Sequence, residues 1–319
     1  MMRALVGVLA IASVLLLAGT VRAPLTNSME APSWSAGDFW VYRFNSTFEG
    51  SAFLNGTLRA DIVGVQNQTV RGIAQDLVVV ETGGSGSLEG AFETPSGNVS
   101  AHGSWNLTGE QLFNEASRKI VKTLIRISAA GHVDVLDVPF TLQWTNSTSN
   151  RVVADAWRYP IPVGYTGSVT LNSSMNEDLF LVFDSNPPLI VNSSVETEVT
   201  LAVSLLSTST VTVPAGTFET YGVRETWTDG SVETFDYAPA AGNNARTQTF
   251  NSTGTEVSRT ELVSYRYQAS MPPNTIGTWV IVAGVAIGVA AAAVLVLLIV
   301  RRRRRERTYT PPSLRDPPT

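Results

Sequence analysis

Two histidines, His102 and His132, and no cysteine occur in the 319 residues. Thiol nucleophiles, thiolate metal sites and disulfides are therefore excluded. The two imidazoles stand 30 positions apart, in no metal-ligand spacing. The sequence holds no H-E-x-x-H, no nucleophile elbow and no P-loop. Gly83 to Gly86 is glycine-rich, but no lysine and helix follow it as phosphate binding requires. Asn176-Glu177-Asp178 and Asp184-Ser185-Asn186 could lend oxygens to Ca²⁺, yet lack the spaced carboxylates and glycine of an EF-hand loop. Turn chemistry accounts for them better. No catalytic, cofactor-binding or metal-ligating residue is assigned, no cofactor is implied, and the expectation is a protein that is not an enzyme. What the sequence does repeat is N-x-[ST]. Asn45, Asn55, Asn67, Asn98, Asn106, Asn146, Asn172, Asn192 and Asn251 all begin this pattern and are candidate glycosylation sites.

Glycan acceptors imply export, and the chain's two ends supply the means. Residues 1–23 read as a signal peptide: Arg3, an apolar run from Ala4 to Ala18, and a small-residue cleavage site at Val21-Arg22-Ala23. Ile276 to Val300 is an uncharged stretch, about 37 Å long as a helix, and so long enough to span a bilayer. Arg301, Arg302, Arg303, Arg304 and Arg305 follow directly and keep that end cytoplasmic. The expected organisation is a signal at 1–23, a linker at 24–35, an extracellular β-rich domain at 36–268 and a stalk at 269–275. A transmembrane helix at 276–300 and a basic, proline-containing cytoplasmic tail at 301–319 complete it. Gly284 and Gly288 form a G-x-x-x-G, a spacing that lets two such helices pack as a homodimer.

Charge divides the same way. The terminal segments hold nine of the 22 basic and two of the 27 acidic residues, leaving 13 basic and 25 acidic in the domain. A domain that acidic does not bind nucleic acid by neutralising phosphates. Dense sequons, no cysteine, an acidic ectodomain and two Lys against 20 Arg point to an archaeal cell surface.

Within the domain the pattern is that of strands. Phe39 to Phe44 is aromatic-rich, Thr57 to Val63 alternates, and Leu77 to Val80 reads as a buried strand. Gly83 to Ser87 reads as a flexible turn, and Asp229-Gly230 as a two-residue hairpin turn. One helix is predicted from Thr108, with Thr108 and Gln111 as capping box and Leu112, Phe113, Ala116 and Ile120 on one face. The fold class is thus mainly β and antiparallel, a curved half-barrel or sandwich with one prominent helix, plus the transmembrane helix.

Trp34-Ser-Ala-Gly-Asp-Phe-Trp-Val-Tyr42, Trp157-Arg-Tyr-Pro-Ile-Pro-Val-Gly164 and Val211-Thr-Val-Pro-Ala-Gly-Thr-Phe-Glu-Thr220 together resemble uncharacterised secreted β-rich surface proteins of archaea and bacteria. Those are similar to the half-barrel of lipoprotein-carrier-like domains. The motifs are structural: turn residues at Gly37-Asp38 and Pro214 to Gly216, with aromatics for the core. The resemblance implies a fold able to hold an apolar ligand in its concavity.

Three functions follow. The first is a single-pass cell-surface protein whose glycosylated ectodomain binds, adheres or builds the envelope, meeting protein or polysaccharide partners and anchored in the lipid bilayer. The second is an anchored carrier or sensor of a lipid or other apolar ligand, with a cavity lined by Trp40, Phe113 and Trp157. The third is an anchored hydrolase whose carboxylates converge in a cleft.

Overall fold

The computed structural model describes residues 25–268, apart from 49–51, 95–96, 135–136 and 185–186. The signal segment, Ile276 to Val300 with Gly284 and Gly288, and Arg301 to Arg305 lie outside the described residues. Fourteen strands are described: β1 (Ser28–Met29), β2 (Phe39–Phe48), β3 (Ala52–Val70), β4 (Ile73–Thr94), β5 (Gly97–Asn114), β6 (Ile120–Val133), β7 (Val138–Asp155), β8 (Ile161–Pro162), β9 (Thr166–Phe183), β10 (Leu189–Val213), β11 (Gly216–Thr226), β12 (Val232–Ala238), β13 (Asn243–Phe250) and β14 (Glu256–Arg266).

Alternation along the strands sets the two faces. On β2, Trp40, Tyr42 and Phe44 share one face, and the register sets Ala60, Leu58 and Gly56 of β3 opposite them. The same face carries Val78 and Val80 of β4, Trp105 and Leu107 of β5, and Trp144 of β7. Twelve strands pair antiparallel in the order β10-β11-β12-β13-β14-β2-β3-β4-β5-β6-β7-β9, and β9 returns to β10. The result is a closed barrel. One connected buried cluster draws side chains from all twelve strands, mostly from their inner face and, for β10 and β11, from the tip of their hairpin, which folds onto β14. Each fully buried aromatic in it adds about 1.5–3 kcal/mol of burial.

A second inward cluster gathers Leu201, Val203 and Leu205 of β10, Tyr221 and Val223 of β11, and Phe235 of β12. Two segments complete it from within. Residues 25–35, read as a linker, contribute Met29, which is 1% exposed, through β1. The crossover from β7 to β9 contributes Trp157 and Ile161, and its β8 pairs with β1. Tyr221 Oη donates to the carbonyl of Ser28 at 2.8 Å. Trp34 joins the main cluster and donates its indole N–H to Gly242 O at 2.8 Å. The β10–β11 hairpin changes face at a bulge between Leu205 and Thr208. Beyond it, Val211, Val213 and Phe218 turn onto β14, where Phe218 meets Tyr265 edge-on.

Three expectations are corrected. The half-barrel or sandwich is a closed barrel. The helix from Thr108 is absent: β5 runs on to Asn114, residues 115–117 turn, and β6 starts at Ile120. Leu112 and Phe113 are both fully buried, one on each face, because the β5 ladder packs on two sides. Ser117 N donates to Asn114 Oδ1 at 2.8 Å, so the Asn114 side chain caps the turn that joins β5 to β6. Gly83 to Ser87 is no turn but the middle of β4. Gly56, Gly84 and Gly86 face inward under the Trp105 indole, and a Cβ on Gly56 would lie 2.6 Å from that ring. The Asp229-Gly230 turn does form, but as a wider loop closed by Trp227 N to Ser231 O at 2.9 Å.

Along the middle of β9 and β10 the barrel's outside is polar. Asn172, Ser174, Asn176 and Asp178 of β9 face outward beside Glu198, Glu196, Ser194 and Asn192 of β10. A transmembrane barrel has the opposite arrangement, apolar outside and polar within. Among the described residues no helix is long and apolar enough to cross a membrane.

Candidate functional site: a carboxylate layer inside the barrel

On β11 the inward phase runs Tyr221, Val223, Glu225; on β12 it runs Glu233, Phe235, Tyr237. The strand phase that buries the aromatics therefore carries two carboxylates into the barrel. Glu225 and Glu233 are direct cross-strand partners. Thr249 of β13 pairs with Glu233, and Ser258 of β14 pairs with Thr249. Four consecutive strands thus set one polar layer across the interior. Glu233 is 0% exposed, Glu225 8% and Ser258 2%. Neither carboxylate oxygen of Glu233 closes a well-formed hydrogen bond: Thr249 offers it only a weak one, and the Ser258 hydroxyl has no partner.

Electrostatics follow from that burial. Loss of water raises the Glu225 carboxyl to about 7. Burial raises Glu233 well above the carboxylate range, the Glu225 charge adds to the rise, and Thr249 opposes it weakly. Among the described residues no basic side chain pairs with either carboxylate. The nearby Tyr159 phenol is itself pushed up by burial, and its oxygen accepts the Trp157 indole N–H at 2.9 Å.

A second inward polar group lies on β5, β7 and β9. The Trp144 indole donates to Glu177, whose second oxygen is unpartnered, and burial raises the Glu177 carboxyl. Asn146 is the direct partner of Glu177, and Gln111, 1% exposed, has neither amide atom bonded.

Of the asparagines marked for glycosylation, Asn45, Asn55, Asn106, Asn172 and Asn192 stand on the outward phase of their strands. Asn67 is exposed near the β3–β4 tip, Asn251 sits in the β13–β14 turn and Asn98 lies on β5. Asn146 differs: it is 7% exposed and inside the barrel, where no oligosaccharide fits. Its phase with Leu142 and Trp144 carries that signal in the sequence. Asn45 borders a shallow outer groove of about 380 Å³, whose Arg43, Glu256, Arg259 and Glu261 pair among themselves. His102 and His132, unrelated by spacing, are cross-strand partners with rings stacked 6.1 Å apart. Each Nδ1 meets an aspartate, Asp134 and Asp137 respectively. Among the described residues no group of three or more His, Asp or Glu is placed to hold a metal ion. Trp40, Phe113 and Trp157, named as lining for an apolar cavity, are each 2% exposed or less and packed into the core.

The phase of β11 and β12 is legible as alternation on either side of Asp229-Gly230, and that phase carries Glu225 and Glu233. That they face one another depends on register, which alternation alone does not reveal.

No family model matches the chain, and no curated protein matches it. Two solved structures align with it. One is a proposed exported protein with YmcC-like fold from Bacteroides fragilis, at 13% identity over 75% of this chain and 99% of that one, with a TM-score of 0.28. The other is a proposed lipoprotein from Parabacteroides distasonis, at 12% identity over 76% of this chain and 100% of that one, with a TM-score of 0.27. Neither overlay is close enough to define a fold or a function for this chain. Both proteins are bacterial, and nothing in them supports the archaeal assignment.

Proposed function

We propose that the chain is a cell-surface protein whose β-barrel is displayed outside the cell, anchored by Ile276 to Val300 with Arg301 to Arg305 inside, and carries glycans on its outward asparagines. It acts in binding, adhesion or envelope structure, not as an enzyme. The observation that supports this reading is the filled barrel: two clusters of its own side chains pack its interior. The polar outer face is then what a partner meets. Trp40, Phe113 and Trp157 are spent on packing, which disfavours a carrier of apolar ligands. Glu225 and Glu233 supply the converging carboxylates of a hydrolase, but inside the barrel and not in a cleft.

Native mass spectrometry of the protein from a glycosylating host tests the reading. The expected result is covalent glycan increments alone, with the protein in the membrane fraction. A discrete mass that leaves under mild activation would instead establish a bound small ligand and favour the carrier. Membrane association that survives deletion of Ile276 to Val300 would refute the anchor.

A further inference from the structure

A carboxylate with no exposure and no well-formed hydrogen bond is costly, and such a group calls for a reason. Glu233 has a second carboxylate on one side, Glu225, and on the other the Thr249 hydroxyl, which offers it only a weak hydrogen bond. Next in the same layer is Ser258, 98% buried and unpartnered. The layer therefore offers acceptors. Carboxylate oxygens only accept when ionised, and hydroxyl oxygens keep lone pairs free. No basic side chain among the described residues supplies the missing positive charge.

We propose that Glu225, Glu233 and Thr249, with Ser258 beside them, form a binding site for one hard divalent cation of the Ca²⁺ class. Two carboxylates match the charge of the ion, and all four side chains present oxygen, the donor that Ca²⁺ takes and that softer metals do not require. Two bidentate carboxylates and the Thr249 hydroxyl supply five oxygens, and a water held by the Ser258 hydroxyl would bring the count to the six that such an ion needs at minimum. The ion ties β11 to β12 and β13, in the part of the barrel where the strands are shortest. Its role is to brace the wall; it touches no substrate. The site does not depend on the displayed-barrel reading, since a cation inside the wall serves any function of the outer face.

The test uses the full-length protein in detergent, stripped with chelator, its thermal unfolding followed by tryptophan fluorescence at pH 7.5. Calcium at a hundredfold excess over its dissociation constant is expected to raise Tm by about 5–10 °C. Equilibrium dialysis is expected to retain one calcium per chain. Glu233→Gln and Glu225→Gln should each abolish both effects, and Glu256→Gln, on the outer face, should abolish neither. If either inner variant fails to fold, dialysis of the native chain still decides. The proposal is overturned if the native chain retains no calcium, or if both inner variants keep the full calcium shift. It is equally overturned if stability only rises with acid and ignores calcium, for protons would then hold the pair.

Discussion

Replacing Gly86 by alanine tests the close approach of β3 and β4 at the centre of the barrel wall. A Cβ at Gly86 would lie 1.8 Å from Asn55 O and 2.7 Å from Gly56 Cα. Real Cβ contacts keep at least 3.0 Å, so β3 and β4 must part by about 1.2 Å at a point where backbone meets backbone. No side-chain rotation relieves that. Overpacking costs about 1–3 kcal/mol, and two ladder hydrogen bonds stretched at the same place add about 1 kcal/mol each. The expected loss is about 3–5 kcal/mol, which in a domain of this size lowers Tm by about 6–20 °C. Gly83, three residues away on the same strand, is the control: nothing lies within 4 Å of its added Cβ. Gly83→Ala should stabilise by about 0.5–1 kcal/mol, because alanine loses less chain entropy than glycine in a strand. Urea unfolding of both variants, read by tryptophan fluorescence, separates the two effects. A Gly86→Ala protein within 0.5 kcal/mol of the native one would refute the close approach. Equal losses at both positions would show that the strand as a whole, not this backbone contact, tolerates no side chain.

Three further outcomes are expected. Glu225 has its carboxyl raised to about 7 in the folded protein against 4.5 as the ordinary value, so the fold holds an extra proton between those values. Its contribution to stability is therefore fully present below about pH 4.5 and lost as pH rises through 7, by about 3 kcal/mol in chelator; Glu225→Gln should flatten that slope in urea titrations, and an unchanged slope would remove Glu225 as its source. Lys119, 6% exposed, pairs with Asp155 and donates to Trp157 O at 3.2 Å; Lys119→Met should destabilise by about 3 kcal/mol, with Asp155→Asn added to it recovering part of the loss. Intact mass should show that Asn146→Gln leaves the glycan count unchanged while Asn45→Gln removes one unit, and a unit lost at Asn146 would contradict its inward placement.

Much of the barrel could be read from alternation. Phe39 to Phe44, Thr57 to Val63 and Leu77 to Val80 were legible as strands because their periodicity is local. The helix at Thr108 was misread because Leu112, Phe113, Ala116 and Ile120 satisfy a helical spacing and equally a strand, a turn and a strand. Two buried faces erase the alternation that would have told them apart. Gly83 to Ser87 misled for a related reason. Glycine marks a turn by its freedom, but also the place where another group comes close, and only Trp105 on the neighbouring strand decides which.

Pairing is the part that no local pattern carries. His102 and His132 are 30 residues apart and become neighbours only when β5 and β6 find their register. Glu225 and Glu233 flank a visible turn, yet the loop at Trp227 to Ser231 is wider than Asp229-Gly230 alone implies, and its width sets which residues face each other. Phase alone puts Glu225 with Tyr221 and Val223, inside, and Glu233 with Phe235 and Tyr237, inside. A wall selected for stability alone would carry valine or glutamine at those two positions, since uncompensated buried carboxylates weaken a fold. The outer ion pairs of Arg43, Glu256, Arg259 and Glu261 need no such explanation, for water screens them and each has its partner. The retained cost at Glu225 and Glu233 is therefore the stronger pointer to a bound group, and it lies inside the wall, where neither the glycosylation pattern nor the charge count directs attention.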